Sequence, residues 1–181
     1  MRRALLAALA ALTVLTACTD SKPGASVTPE DQLRSRPTFE QASQDYIALL
    51  TEVTKAVTAI SPTVTWPAAP PRQDGGSLCA KPFTDIAGAH SATFSFEEAN
   101  GRRALVKAIP DADWPRVKTT FVDIAKRHGF TTVTMDVDQP GRHEMTIADQ
   151  YGATVEFGTI EGTSIGVFGA CFLDAAKHQT S

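Results

Sequence analysis

This chain of 181 residues lacks most of the signatures that announce chemistry. It has no glycine-rich phosphate loop and no stripe of basic and aromatic residues, so a nucleotide or a nucleic acid is not the expected ligand. Its four histidines, His90, His128, His143 and His178, are scattered rather than clustered. His143-Glu144 is half of a zinc-protease motif, but no second histidine follows at the required spacing. Asp136 and Asp138 alternate beside a turn, a pattern more typical of solvated acids than of a cation site. No metal and no cofactor is therefore expected. There is no internal repeat and no sign of a second domain. One long apolar run, from Ala4 to Val14, falls short of the roughly 20 residues that a membrane-spanning helix needs.

That run is informative for another reason. Arg2 and Arg3 precede it and Leu15-Thr16-Ala17-Cys18 closes it. A basic start, a short apolar core and small residues before a cut make a secretory signal peptide. The tetrad ending in cysteine has the form of a bacterial lipobox, in which the Cys18 thiol is acylated and the leader is cleaved after Ala17. An ordinary secretory signal is the weaker reading, because the small residues and the cysteine fall in register. Two or three acyl chains on one cysteine hold far more firmly than one, since each buried methylene contributes about 0.8 kcal/mol. Removing residues 1–17 takes away two arginines and no acids. The 17 basic and 20 acidic residues become 15 and 20, a net charge of −5. That mild, well-mixed acidity argues against nucleic acid and against attraction to anionic lipid.

Residues 18–37 read as the lipidated cysteine followed by a flexible tether, polar and proline-containing, with an r.m.s. span of roughly 25 Å. Residues 38–173 read as one domain and 174–181 as a tail. Thr38 with Gln41 predicts a capping box. Phe39, Ala42, Tyr46, Leu49, Leu50, Val53, Val57 and Ile60 recur at helical spacing until Ser61-Pro62 stops them. A proline-rich loop follows, in which Trp66 is expected to cap the core. Ala92 to Phe96 predicts a strand, residues 97–112 give no clear pattern, and Asp113 is placed to cap a second helix that ends at Gly129. Its apolar face is Trp114, Val117, Phe121, Ile124 and Ala125. The period then changes to two. Val133, Met135 and Val137, then Met145 and Ile147, then Val155 and Phe157, then Ile165, Val167 and Cys171 mark four strands joined by short turns, each set on one face. The expected fold is α+β: a two-layer sandwich with two helices on one face of a mostly antiparallel sheet of about five strands. The first strand is expected beside the strand that follows the second helix.

With Cys18 taken by lipid, Cys79 and Cys171 remain. In an oxidising compartment two such cysteines are expected to pair, two free buried thiols being the other reading. At this point the chain resembles a known family, the LppA-like lipoproteins of mycobacteria and relatives. The resemblance rests on the lipobox at Cys18, the helix from Phe39-Glu40-Gln41-Ala42 to Ile60-Ser61-Pro62, and Trp66. It also rests on Gly76-Ser77-Leu78-Cys79 ahead of Ala92-Thr93-Phe94, and on Ala170-Cys171-Phe172-Leu173, where the family usually has glycine at the position of Ala170. It implies an envelope lipoprotein on the outer side of the cell membrane with a disulfide between Cys79 and Cys171, and it implies no activity.

One motif argues the other way. Gly162-Thr163-Ser164-Ile165-Gly166 matches the serine-hydrolase pattern, and Asp174 and His178 follow in hydrolase order. That mechanism needs Ser164 on a sharp strand-to-helix turn, whereas the flanking residues predict a strand. The chain is therefore expected to be no enzyme but a tethered binding or interaction module, its partners membrane lipid through acylated Cys18 and another envelope protein. The alternative is a carrier of an apolar ligand or lipid, held in a cavity between helices and sheet.

Overall fold

The computed structural model describes residues 27–74, 78–97 and 102–179. The leader and Cys18 lie outside these residues. Four helices and seven strands follow in the order α1 (Pro29–Arg34), α2 (Phe39–Ile60), β1 (Arg72–Gln73), β2 (Ala89–Ser95), β3 (Val106–Lys107), α3 (Trp114–Arg127), β4 (Thr132–Gln139), β5 (Arg142–Ala148), β6 (Thr154–Thr159), β7 (Gly162–Leu173) and α4 (Ala175–His178). The two long helices cover one face of the sheet, so the α+β two-layer sandwich stands. The sheet has seven strands rather than about five, the additions being the two-residue strands β1 and β3.

Helix α2 forms as its sequence dictates. The Thr38 side chain accepts a hydrogen bond from the Gln41 N–H, and the Gln41 side chain accepts one from the Thr38 N–H. Two of the donors a helix start leaves unpaired are thereby satisfied. Ala42, Tyr46, Leu49, Leu50, Val53 and Val57 are buried. Each large aliphatic or aromatic side chain so removed from water contributes about 1.5–3 kcal/mol. Helix α3 buries Trp114, Val117, Phe121, Ile124 and Ala125. Asp113, however, makes no capping hydrogen bond with its side chain; Pro115 in the first turn needs no N–H partner and relaxes that requirement. Gly129 ends the helix at a positive φ of 85°, a conformation that only glycine adopts without strain.

Every pairing in the sheet is antiparallel, in the order β1-β2-β7-β6-β5-β4, with β3 continuing on β7 past the end of β2. The expected meander is present, but the neighbour assigned to the first long strand is not. Strand β2 pairs with β7, and β4 lies at the far edge. The reason is that α3 lies beside α2 and carries the chain beneath the sheet to its far side. Short hairpins then return it strand by strand to β2.

Two bulges change which face residues occupy. In β7, Val167 pairs with Phe94 and Ala170 with Ala92, so β7 holds one extra residue there. Gly169, at φ 99°, absorbs it. Val167, Ala170 and Phe172 consequently all face the helices, whereas Cys171 and Leu173 turn to the opposite face. The expectation that Cys171 shares a face with Ile165 and Val167 is thereby corrected. In β4 a second bulge lies between Val133 and Met135. Val133 faces the helix side beside Ile147, while Met135 and Val137 face the other side beside Thr146 and Glu144. Strand β4 is an edge, so Val133 and Met135 are exposed rather than core.

The fold also reaches past both expected ends. The stretch 18–37, expected to be a tether, contains α1, whose Leu33 is fully buried against Cys79, Cys171 and Leu173. Arg36 donates from Nη1 to the Cys171 carbonyl at 2.9 Å and lies over the Phe83 and Tyr151 rings. The stretch 174–181, expected to be a tail, contains α4, which Asp174 caps by accepting from the Lys177 N–H. Arg34 donates to the Lys177 carbonyl at 2.8 Å and His178 Nε2 to the Arg36 carbonyl at 2.8 Å. Residues on either side of both expected boundaries thus form one corner of the domain. Cys79 and Cys171 are joined by a disulfide there, with Cα atoms 5.6 Å apart, inside the usual range of about 4.4–6.8 Å.

Candidate functional site

The residues of the hydrolase motif do not converge. Ser164 lies within β7, paired with Gly158 of β6, and its neighbours Thr163 and Ile165 continue the strand. There is no strand-to-helix elbow at this position. Asp174 and His178 lie beyond the opposite end of β7, about 30 Å away at strand rise, committed to the contacts of α4 just described. Replacing Ser164 with alanine is expected to cost under about 1 kcal/mol, as for most substitutions that touch no special mechanism. A fluorophosphonate probe is expected to leave the protein unlabelled. Labelling that vanishes in Ser164→Ala would reverse this assignment.

His143 and Glu144, adjacent in β5, point to opposite faces. His143 is buried on the helix side, stacked on Trp114 with ring centroids 4.7 Å apart. Its Nδ1 is 2.9 Å from Asp138 Oδ1 and its Nε2 is 3.0 Å from Asp111 Oδ1. Asp136 and Asp138, considered above as cation ligands, are bound by Lys118 Nζ at 2.7 and 3.2 Å. Lysine holds the place a cation would take. Among the described residues no group of acids, histidines and cysteines has the geometry to hold a metal.

This cluster ties the β4–β5 hairpin to the segment before α3, and it carries a pH signature. Asp111 is held below the usual carboxylate range by its hydrogen bond with His143 and by the Gly141 N–H. At Asp138 burial pushes upward, but bonds with Lys118 and His143 outweigh it, so that group also lies low. Glu52 is lowered by His128 and Arg127. A carboxylate with a depressed folded-state pKa stabilises the fold above its unfolded pKa, and that contribution disappears as pH falls through the folded value. The urea midpoint is therefore expected to fall on acidification below about pH 4, and to fall less in Asp111→Asn. Equal acid sensitivity of the two proteins would show that this cluster contributes nothing.

The space between helices and sheet, where the alternative reading places a carried ligand, holds the fully buried side chains of Trp114, Phe121, Phe130 and Phe172. Two unfilled features lie elsewhere. Trp66 packs on Phe96, centroids 5.7 Å apart, and joins the core as expected. Its outer side borders a shallow hollow of about 590 Å³ between the proline-rich loop and α2. The second feature, which sequence reasoning missed, is a groove of about 380 Å³ on the sheet face away from the helices. Leu105, Met135 and Ile160, which are 57%, 39% and 51% exposed, stand around it. Glu144, Thr146, Glu156, Gly158 and Ser164 form its floor and sides. Apolar patches rimmed by polar residues on an otherwise polar surface mark interaction sites. The signal in the sequence was alternation itself: Glu144, Thr146, Glu156 and Ser164 are the polar partners of the core-facing residues.

A family model for LppA, described as a lipoprotein confined to pathogenic Mycobacterium, matches residues 17–175. The chain belongs to the LppA family. Its fold is that of the LppA lipoprotein of Mycobacterium tuberculosis, whose crystal structure superposes with a TM-score of 0.61 at 18% identity, over 84% of this chain and 88% of that one. A search of curated proteins gives no match. No helix among the described residues is long and apolar enough to cross a membrane; membership of a lipoprotein family associates the chain with a membrane.

Proposed function

We propose that this LppA-family protein is a non-catalytic binding module of the cell envelope, anchored through acylated Cys18 on the outer side of the membrane. The observation that carries the reading is the uncovered sheet face. Two helices shield one side, while the other presents a groove with three exposed apolar side chains around it. Exposed apolar side chains grouped around a concave polar floor suit a surface that meets a partner.

Anchoring has its own support. The lipobox stands at the start of the chain, and the fold begins by Pro29, so few residues separate Cys18 from the domain. The groove lies at the Gly162 end of β7, whereas α1 lies at the Leu173 end. Eleven residues of strand separate these ends by about 36 Å. The groove and the corner where the described chain begins thus lie at opposite ends of β7.

Native mass spectrometry of protein purified from its own membrane is expected to retain a bound molecule or partner, lost when Met135 and Ile160 are both replaced by lysine. Retention despite those changes would remove the open face from the proposal. Cys18→Ala is expected to yield uncleaved precursor or released protein. Processing and membrane retention like those of the unaltered chain would defeat the anchoring.

A further inference from the structure

Four polar side chains of the open face surround one glycine. Glu144 and Ser164 flank Gly158 in one cross-strand row, and Thr146 and Glu156 pair in the next. Neighbours within a row are about 5 Å apart and rows about 7 Å, so one small molecule can reach all four. Gly158 keeps the middle open. A Cβ there would lie 2.9 Å from the His143 carbonyl oxygen and 3.2 Å from Glu144 Cγ.

Two features say what this ring lacks. Thr146 is only 8% exposed and lines the groove, yet its hydroxyl has no hydrogen-bond partner among the described residues; only its carbonyl is engaged, by Thr134. The hydroxyl oxygen keeps some exposure, so it opens onto the groove and can bond to what enters it. The Ser164 hydroxyl is likewise without a partner there. The two carboxylates add acceptors in excess. Glu144 accepts one bond, from Arg142 Nε at 2.6 Å, and Glu156 has Arg103 at 3.9 Å. Arg142 thus engages one oxygen of Glu144 and Arg103 lies only near Glu156, so both carboxylates keep most of their acceptor capacity.

We propose that the groove binds a small uncharged amphiphile with a hydroxyl-rich head. The head sits over Gly158, donating to Glu144 and Glu156 and exchanging bonds with the Thr146 and Ser164 hydroxyls. The apolar part lies against Leu105, Met135 and Ile160. An anionic head meets two carboxylates, and a cation without donors leaves the hydroxyls unpaired. The groove of about 380 Å³ falls in the range of about 300–1,000 Å³ typical of small-molecule sites. This inference rests on the reading of the open face as the binding face.

The test uses the lipidated full chain in phosphatidylcholine nanodiscs, with labelled methyl groups, titrated with hexyl β-glucoside, hexyltrimethylammonium and hexyl sulfate. The glucoside is expected to saturate and to shift the Met135 and Ile160 methyls, with the two charged probes about tenfold weaker. Thr146→Val is expected to weaken the glucoside about fivefold, the loss of one hydrogen bond, without lowering the urea midpoint. Ser164→Ala provides the same readout should the valine variant fold poorly. Equal affinity for all three heads, shifts confined to other faces, or unchanged affinity in both variants overturns the proposal. Failure of the glucoside while a co-purified envelope protein shields Met135 and Ile160 overturns this inference alone and leaves the open face as the binding face.

Discussion

Removing the disulfide, by Cys79→Ala together with Cys171→Ala, is expected to lower the unfolding free energy by about 4 kcal/mol. The bond closes a loop with a sequence separation of 92. The chain-entropy model assigns a closure of that length on the order of 4–5 kcal/mol, through restriction of the unfolded chain. Total stabilities of small domains are only about 5–15 kcal/mol, so a large share of the margin is at stake. The effect extends beyond chain entropy, because Leu33 of α1 and Leu173 of β7 pack on the two cysteines. Urea denaturation of the oxidised protein and of the double variant measures it. A difference below about 1 kcal/mol would mean that the α1 corner holds by packing alone. Loosening is expected first at that corner, seen as faster amide exchange in α1 and α4 than in α3.

The second large effect is expected at Trp114. It is fully buried at the start of α3, stacked on His143 and, with centroids 5.7 Å apart, on Phe157. Trp114→Ala leaves a cavity between α3 and the sheet and is expected to cost about 3–5 kcal/mol. It also removes the surface against which His143 lies between two acids. Trp114→Phe is expected to cost far less. The indole Nε1 is buried without a hydrogen-bond partner among the described residues, so phenylalanine forfeits area but no bond. Equal losses in the two variants would mean that the site depends on the indole itself rather than on aromatic filling.

Helices and hairpins are local objects, and local sequence foretold them well. Thr38 and Gln41 satisfy each other within one turn. The α3 face from Trp114 to Ala125 is the one its spacing predicts. Four strands in succession fold back through turns such as Gly141 and Gly152, both at positive φ. The two cysteines pair as compartment and number suggested. The short strands were not legible, because two residues such as Arg72–Gln73 carry no period. The same holds for α1: Pro29–Arg34 is polar except for Leu33, and a single leucine is no pattern until there is a surface for it to meet.

What the sequence by itself determined was the class of fold, the capped start and apolar face of α2 and the apolar face of α3, since each rests on spacing within a few residues. What only the tertiary structure decided was facing and adjacency. The extra residues in β4 and β7 shift the two-residue alternation by one, which turns Cys171 and Met135 to the side away from the helices. That shift cannot be read along one strand, because a bulge is defined by the partner strand. The groove has the same origin. Glu144, Thr146, Glu156 and Ser164 lie on three strands and are brought around Gly158 by cross-strand register alone.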